Sequence, residues 1–93
     1  YDANEIRADK DFKGRRFYVE GIVNQVSKDA FGHIYVKLRY QDVDYKAYFP
    51  ESDIAAVSSL NPGDIIGLDG TFDGLELWYL HFDDCKVTAL YKE

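Results

Sequence analysis

The sequence lacks the features of a membrane-spanning, disulfide-linked or disordered chain. Cys85 is the single cysteine, so no internal disulfide can form, and it says little about redox compartment. No run approaches the roughly 18 consecutive apolar residues that a membrane helix needs, and repeats, linkers and low-complexity segments are absent. Hydrophobic residues make up 46% and aromatic residues 16% of the 93 positions, which is too many for a disordered chain. We therefore predict one folded domain over residues 1–93.

Basic residues are scarce in the second half of the chain. Residues 1–46 carry nine Lys or Arg and eight Asp or Glu, whereas residues 47–93 carry two and nine. The net charge of -6 argues against a generic nucleic-acid binder, because such domains are usually basic. The distribution leaves a nearly neutral first half, with a local cluster of cations, and a strongly acidic second half.

Sequence signatures of catalysis are also lacking. No glycine-rich loop would cradle a phosphate, and no serine sits in a nucleophile elbow with a partnered histidine. Asp83 and Asp84 are neighbours on a predicted strand, so their side chains point apart and make a poor acid/base pair. We expect no enzymatic activity.

The sequence also predicts no cofactor and no metal site. His81 and Cys85 flank Asp83 and Asp84, but no second ligand pair follows, and a closed zinc site needs four good ligands. Residues 69–74 lack the alternating aspartates of a calcium loop. We interpret these residues as structural.

Two alternating runs form the strongest structural signal, in a hairpin over residues 34–49. Apolar residues recur at every second position of each run, which is typical of half-buried β-strands. The predicted inward residues are Ile34, Val36, Leu38 and Tyr40 on one strand and Val43, Tyr45, Ala47 and Phe49 on the other.

Shorter signals place the remaining elements. A helix over residues 1–12 is predicted from Asp2 as N-cap and Glu5 as its capping-box partner. A first strand covers residues 16–26, with Phe17 and Val19 inward and a bulge or bend at Gly21. Ser52 is the predicted cap of a short helix, and residues 61–64 form a turn.

The end of the chain is predicted to form a second hairpin. A fourth strand covers residues 64–72, and Asp73-Gly74 is expected to be a two-residue type I′ turn. A fifth strand begins at Leu75, is interrupted by a bulge near residues 81–84, and continues to about residue 90.

Five strands with a helix between the third and fourth fit the five-stranded Greek-key barrel called the OB-fold. The predicted fold class is thus all-β, with the N-terminal helix over residues 1–12 and the barrel over residues 14–90. A small SH3-like barrel is the nearest alternative, but it usually lacks a helix at that point.

Short motifs are spread along nearly the whole chain: Asn4-Glu5, Ala8-Asp9, Phe12-Lys13-Gly14, Val19-Glu20-Gly21, residues 32–38, residues 60–64 and residues 84–87. Together they resemble the tRNA-anti-like family of bacterial OB-fold domains. The resemblance implies an OB-fold and, by analogy with anticodon-binding domains, nucleic-acid binding. It also implies an exported or lipoprotein-like setting, and it brings no catalytic residues. The acidity of this chain departs from that of a nucleic-acid-binding OB domain.

The outward residues of the first three strands are the predicted ligand-binding face. OB-folds commonly bind extended ligands on strands two and three, where aromatic rings stack on bases and cations contact phosphates. The predicted face consists of Arg16, Tyr18, Tyr35, Lys37, Arg39, Lys46 and Tyr48. We expect Arg16 and Tyr18 to lie beside Tyr35.

Other interpretations of these residues stay open. Tyrosines on exposed strands also stabilise sheets, with Lys and Arg conferring solubility. The face, or the acidic half, could instead contact a protein partner in a scaffold or interaction domain. Trp78 falls between Leu77 and Tyr79, both expected inward, so its ring is either an outward anchor for a partner or covered by the N-terminal helix. The partner is thus single-stranded nucleic acid or, alternatively, another protein.

Overall fold

A computed structural model describes residues 12–76 and 78–91, with the backbone alone at Glu76. The predicted N-terminal helix over residues 1–12 falls, apart from Phe12, outside the described residues. None of the helices in the part of the chain that is described is long and apolar enough to cross a membrane.

Five strands form a closed barrel in the order β1-β2-β3-β5-β4. The strands are β1 (Arg16–Lys28), β2 (Ile34–Tyr40), β3 (Val43–Tyr48), β4 (Ile65–Glu76) and β5 (Tyr79–Tyr91). All neighbours are antiparallel except β3 and β5, which run parallel. This order, with a helical segment between β3 and β4, is the predicted OB-fold.

The core is built from the alternating residues that the sequence predicts. Val36, Leu38, Ala47, Ile66 and Leu68 are completely buried. Tyr40 and Val43, at the tip of the β2–β3 hairpin, are exposed, in contrast to the expectation. The hairpin tip therefore projects beyond the core, while its base fills it.

Strand β1 is long enough to pair with two neighbours. Its first half, from Arg16 to Ile22, pairs with β4, and its second half, from Ile22 to Lys28, pairs with β2. The predicted irregularity falls at Asn24, where the register shifts, and not at Gly21. Gly21 instead permits a close approach, because a Cβ there would lie 3.1 Å from the Cβ of Leu38.

The β4–β5 hairpin turns later than the sequence predicts. β4 runs on through Asp73 and Gly74 to Glu76, which pairs with Tyr79. The prediction of an Asp73-Gly74 turn is wrong: the two residues lie in a bulge, with Gly74 at φ 99°. The predicted bulge of β5 is confirmed at Asp84, which has a φ of 51°.

A short helical segment joins β3 to β4. A 3-10 turn over Glu51–Asp53 leads into α1 (Ile54–Ser58), from which Val57 enters the core. Ser52 does not cap it, and neither segment has a side-chain cap hydrogen bond. The predicted turn that follows is confirmed, and the buried carboxylate of Asp64 accepts a hydrogen bond from the backbone N–H of Asn61 at 2.9 Å.

Candidate functional site

Aromatic and cationic side chains meet on the outer surface of β2, β3 and β5. Strand pairing sets Tyr35 opposite Tyr48 and Lys37 opposite Lys46. The parallel pairing of β3 and β5 adds Tyr79, two residues before His81, which aligns with Lys46. We call the following residues the Tyr/Lys face: Tyr35, Lys37, Lys46, Tyr48 and Tyr79.

The rings of the Tyr/Lys face hold its ammonium groups in place. The centroids of Tyr35 and Tyr48 are 5.3 Å apart, and the Nζ of Lys46 lies 4.7 Å from the first and 5.4 Å from the second. The Nζ of Lys37 lies 5.1 Å from the Tyr79 ring and 6.0 Å from the Tyr35 ring. Such cation–π contacts are worth about 0.5–1 kcal/mol each at exposed sites. The face is therefore an ordered surface in which rings and positive charges alternate.

Two positive charges lie directly opposite each other in this face. Lys37 and Lys46 are partners in the β2–β3 ladder, and like charges directly opposite destabilise a sheet. An anion placed between them would relieve that repulsion. The guanidinium of Arg39, one row further on, lies 3.5 Å from Asp42 and 3.9 Å from Asp44. Arg39 belongs to the predicted face, but its charge is already balanced by these two carboxylates.

Arg16 and Tyr18 lie elsewhere on the barrel. They pair with Thr71 and Asp69 of β4, so the expectation that they lie beside Tyr35 is wrong. The reason is that β1 meets β2 only through its second half.

Both side chains have other partners there. The Nη1 of Arg16 donates to Thr71 Oγ1 at 3.2 Å and lies 3.4 Å from the carboxylate of Asp84. The hydroxyl of Tyr18 donates to Glu20 at 3.0 Å, and this hydrogen bond raises the pKa of the phenol. Neither side chain adds to the Tyr/Lys face.

Tyr79 is the residue of the Tyr/Lys face that the sequence reasoning missed. Tyr79 was expected to point inward, yet Leu80 and Phe82 pack on the core while Tyr79 joins the outer face. The alternation along β5 contained a signal for this. The inward residues are even-numbered at Leu80 and Phe82 but odd-numbered at Cys85. That change of parity marks the bulge at Asp84.

Trp78 stands at the tip of the β4–β5 hairpin, directly before Tyr79. Its side chain is 84% exposed. The outward alternative for Trp78 therefore holds, and a large aromatic ring is available next to the Tyr/Lys face.

His81 lies at the border of the face, in acidic surroundings. Its ring is 4.9 Å from that of Tyr48. Its Nδ1 lies 3.8 Å from Asp73 and its Nε2 lies 3.4 Å from Asp83. Cys85, which the sequence set beside His81, is instead buried in the core, and burial raises the pKa of its thiol to about 12.

Comparison with known proteins gives one family and a set of similar structures. The tRNA_anti-like family model matches residues 1–86. A crystal structure from Klebsiella pneumoniae subsp. pneumoniae MGH 78578, of a protein called a "putative nucleic acid-binding lipoprotein", superposes with a TM-score of 0.78. It is 21% identical, and the match covers 95% of this chain and 82% of that one. No curated protein matches the chain.

Proposed function

The chain belongs to the tRNA_anti-like family, and from that premise we propose that it binds single-stranded nucleic acid through the Tyr/Lys face. The observation that carries the proposal is the opposed pair Lys37 and Lys46, held among three tyrosine rings. The name of the Klebsiella protein, which shares the fold, adds support. We further propose that the domain is a binding module and not an enzyme, since rings and ammonium groups are what such a face offers.

The chemistry of the face suits an extended polyanion. Bases stack on exposed tyrosines for about 1–3 kcal/mol each, with little preference for sequence. Phosphates bridging Lys37 and Lys46 would offset the repulsion between the two ammonium groups. The ligand would run along β2 and β3, with Tyr35 and Tyr48 at one end and Tyr79 at the other.

The loops beside the Tyr/Lys face are short, so we expect only modest affinity for a nucleic acid. Residues 29–33 join β1 to β2, and β5 begins at Tyr79 soon after β4 ends at Glu76, which leaves little loop to wrap a ligand. Carboxylates also adjoin the face at Asp44 and Asp83. We expect a salt-sensitive interaction with short oligonucleotides, because phosphate contacts release counterions.

Fluorescence anisotropy with a labelled single-stranded oligonucleotide, at low and moderate salt, tests this function. Wild-type protein should bind at low salt and weaken steeply as salt rises. Tyr35→Ala should weaken binding about 5-fold to 150-fold, the equivalent of one stacked base at 1–3 kcal/mol. Lys37→Ala should weaken it and lower the salt slope by about 0.7, one phosphate contact on a single strand. The emission of Trp78, the single tryptophan, provides a second, label-free readout.

Lys86→Ala is the matched control. Lys86 is an exposed lysine of β5 that pairs with Asp69 of β4, away from the Tyr/Lys face. Lys86→Ala removes the same charge as Lys37→Ala but should leave the affinity for the oligonucleotide nearly unchanged. Arg16→Ala should also leave it nearly unchanged. No binding at low salt, or equal losses for Lys37→Ala and Lys86→Ala, would overturn the proposal. The first result would favour the alternative, a domain that contacts another protein.

A further inference from the structure

We propose that Asp73, His81 and Asp83 form a binding site for a divalent transition-metal ion of the zinc type. Each residue offers one ligand atom, and the three atoms lie within 4.8 Å of one another. The site adjoins the Tyr/Lys face but uses none of its residues, so it does not rest on the proposed nucleic-acid function.

The barrel brings these three residues together from two strands. His81 and Asp83 are two positions apart on β5, and residues so spaced share a face of a strand. Asp73 comes from β4, where the bulge at Gly74 sets two residues, Asp73 and Gly74, against the single residue His81. The sequence alone could not assemble this set, because Asp73 was expected in a turn.

The imidazole of His81 is held in place as a metal ligand, and the two carboxylates are accessible to solvent. The His81 side chain is 13% exposed and packs against the Tyr48 ring at 4.9 Å. The Asp73 and Asp83 side chains are 43% and 49% exposed. An ion could therefore reach the two carboxylates from solvent and find the imidazole already oriented.

Charge in the cluster favours a cation. Carboxylate oxygens of Asp73 and Asp83 lie within 4.8 Å of each other, and two carboxylates sharing a site repel when both are ionised. A divalent ion between them offsets that repulsion, since a bound metal is commonly the largest charge in its site.

The donor set indicates the class of metal. One imidazole nitrogen with two carboxylate oxygens suits zinc, iron or manganese, whereas calcium and magnesium prefer oxygen ligands alone. Three protein ligands also leave a zinc ion an open position for water or another group. Cys85 does not contribute, being buried in the core, and the carboxylate of Asp84 faces Arg16 at 3.4 Å.

Isothermal titration calorimetry with Zn²⁺, on protein without a histidine tag and without oligonucleotide, tests the site. Wild-type protein should bind one ion saturably, and Mg²⁺ at the same concentration should not bind. His81→Gln should weaken Zn²⁺ binding at least tenfold, because even changes behind a ligand cost 10–100-fold. Asp73→Asn should also weaken it and, lying at an exposed position, is the variant to use should His81→Gln disturb folding.

The second histidine is the matched control. His33 lies outside the cluster, 3.3 Å from Asp29, so His33→Gln should leave the Zn²⁺ affinity unchanged. Circular dichroism on each variant checks that the barrel is intact. The proposal is overturned when wild-type protein shows no saturable Zn²⁺ binding. Equal losses from His33→Gln and His81→Gln would overturn it as well.

Discussion

At Gly70 the barrel has no room for a side chain. A Cβ there would lie 2.6 Å from the Sγ of Cys85 and 3.3 Å from the Cβ of Phe82, both in the core. Gly67, three residues earlier on β4, is also crowded, but by the ring of Tyr18. Tyr18 is exposed, so its ring can rotate away, whereas Cys85 and Phe82 cannot.

Gly70→Ala should therefore destabilise the protein by about 1–3 kcal/mol, the usual cost of overpacking a core. Gly67→Ala is the matched control and should cost less. Urea denaturation of both variants measures the difference. Combining Gly70→Ala with Cys85→Ala should cost less than the sum of the two single changes, since each relieves the other. Equal losses for Gly70→Ala and Gly67→Ala would show that crowding at Cys85 is not what matters.

The sequence predicted which side chains share the outer surface wherever that depends on alternation within one hairpin. Tyr35, Lys37, Lys46 and Tyr48 alternate with buried residues within one hairpin, and the structure places them together on its outer surface. Their role in binding stays a prediction.

At the scale of elements, the β2–β3 hairpin turns without a preferred turn sequence, whereas the β4–β5 hairpin contains a preferred turn sequence that does not turn. Gln41 and Asp42 link β2 to β3 with φ values of 49° and 66°, the positive values of a type I′ turn, which favours Asn-Gly. Asp73-Gly74 has a preferred turn sequence, yet the strand continues through it. Pairing of Leu75 with Leu80 and of Glu76 with Tyr79 extends the β4–β5 ladder past it. The β4–β5 ladder therefore extends past the residues whose sequence favours a turn.

Gln41→Asn together with Asp42→Gly should stabilise the protein by about 1 kcal/mol, because positive φ is costly for most side chains and not for glycine. The change removes the ion pair of Arg39 with Asp42, which is exposed and worth at most about 1 kcal/mol, commonly much less. Chemical denaturation compares the double variant with wild type. Asp42→Ala is the informative control: it removes the same ion pair but keeps the strain of a side chain at positive φ, so it should not stabilise. A double variant no more stable than wild type would contradict this account of the turn.

At the scale of the whole molecule, barrel closure determines which residues share a surface. The parallel pairing of β3 with β5 carries Tyr79 and His81 to the β2–β3 hairpin, although each lies 35 positions after its partner on β3. Closure also takes Arg16 and Tyr18 to β4. The sequence predicted the number of strands, the fold and the local half of the candidate site. Contacts between distant strands depend on register and bulges, which local alternation does not specify.

The reactivity of the single, buried cysteine reports local opening of the barrel. Cys85 is completely buried, and the pKa of its thiol is raised to about 12 by that burial. Thiol reagents attack the thiolate, and burial both excludes the reagent and disfavours the thiolate, so at pH 8 the folded chain should react far more slowly than the unfolded one. Absorbance with Ellman's reagent, in buffer and in urea, measures the two rates; similar rates would contradict the burial of Cys85. Labelling in buffer then requires the strands around Cys85 to separate. Where reclosing is faster than labelling, the ratio of the two rates measures the fraction of molecules in which these strands are open.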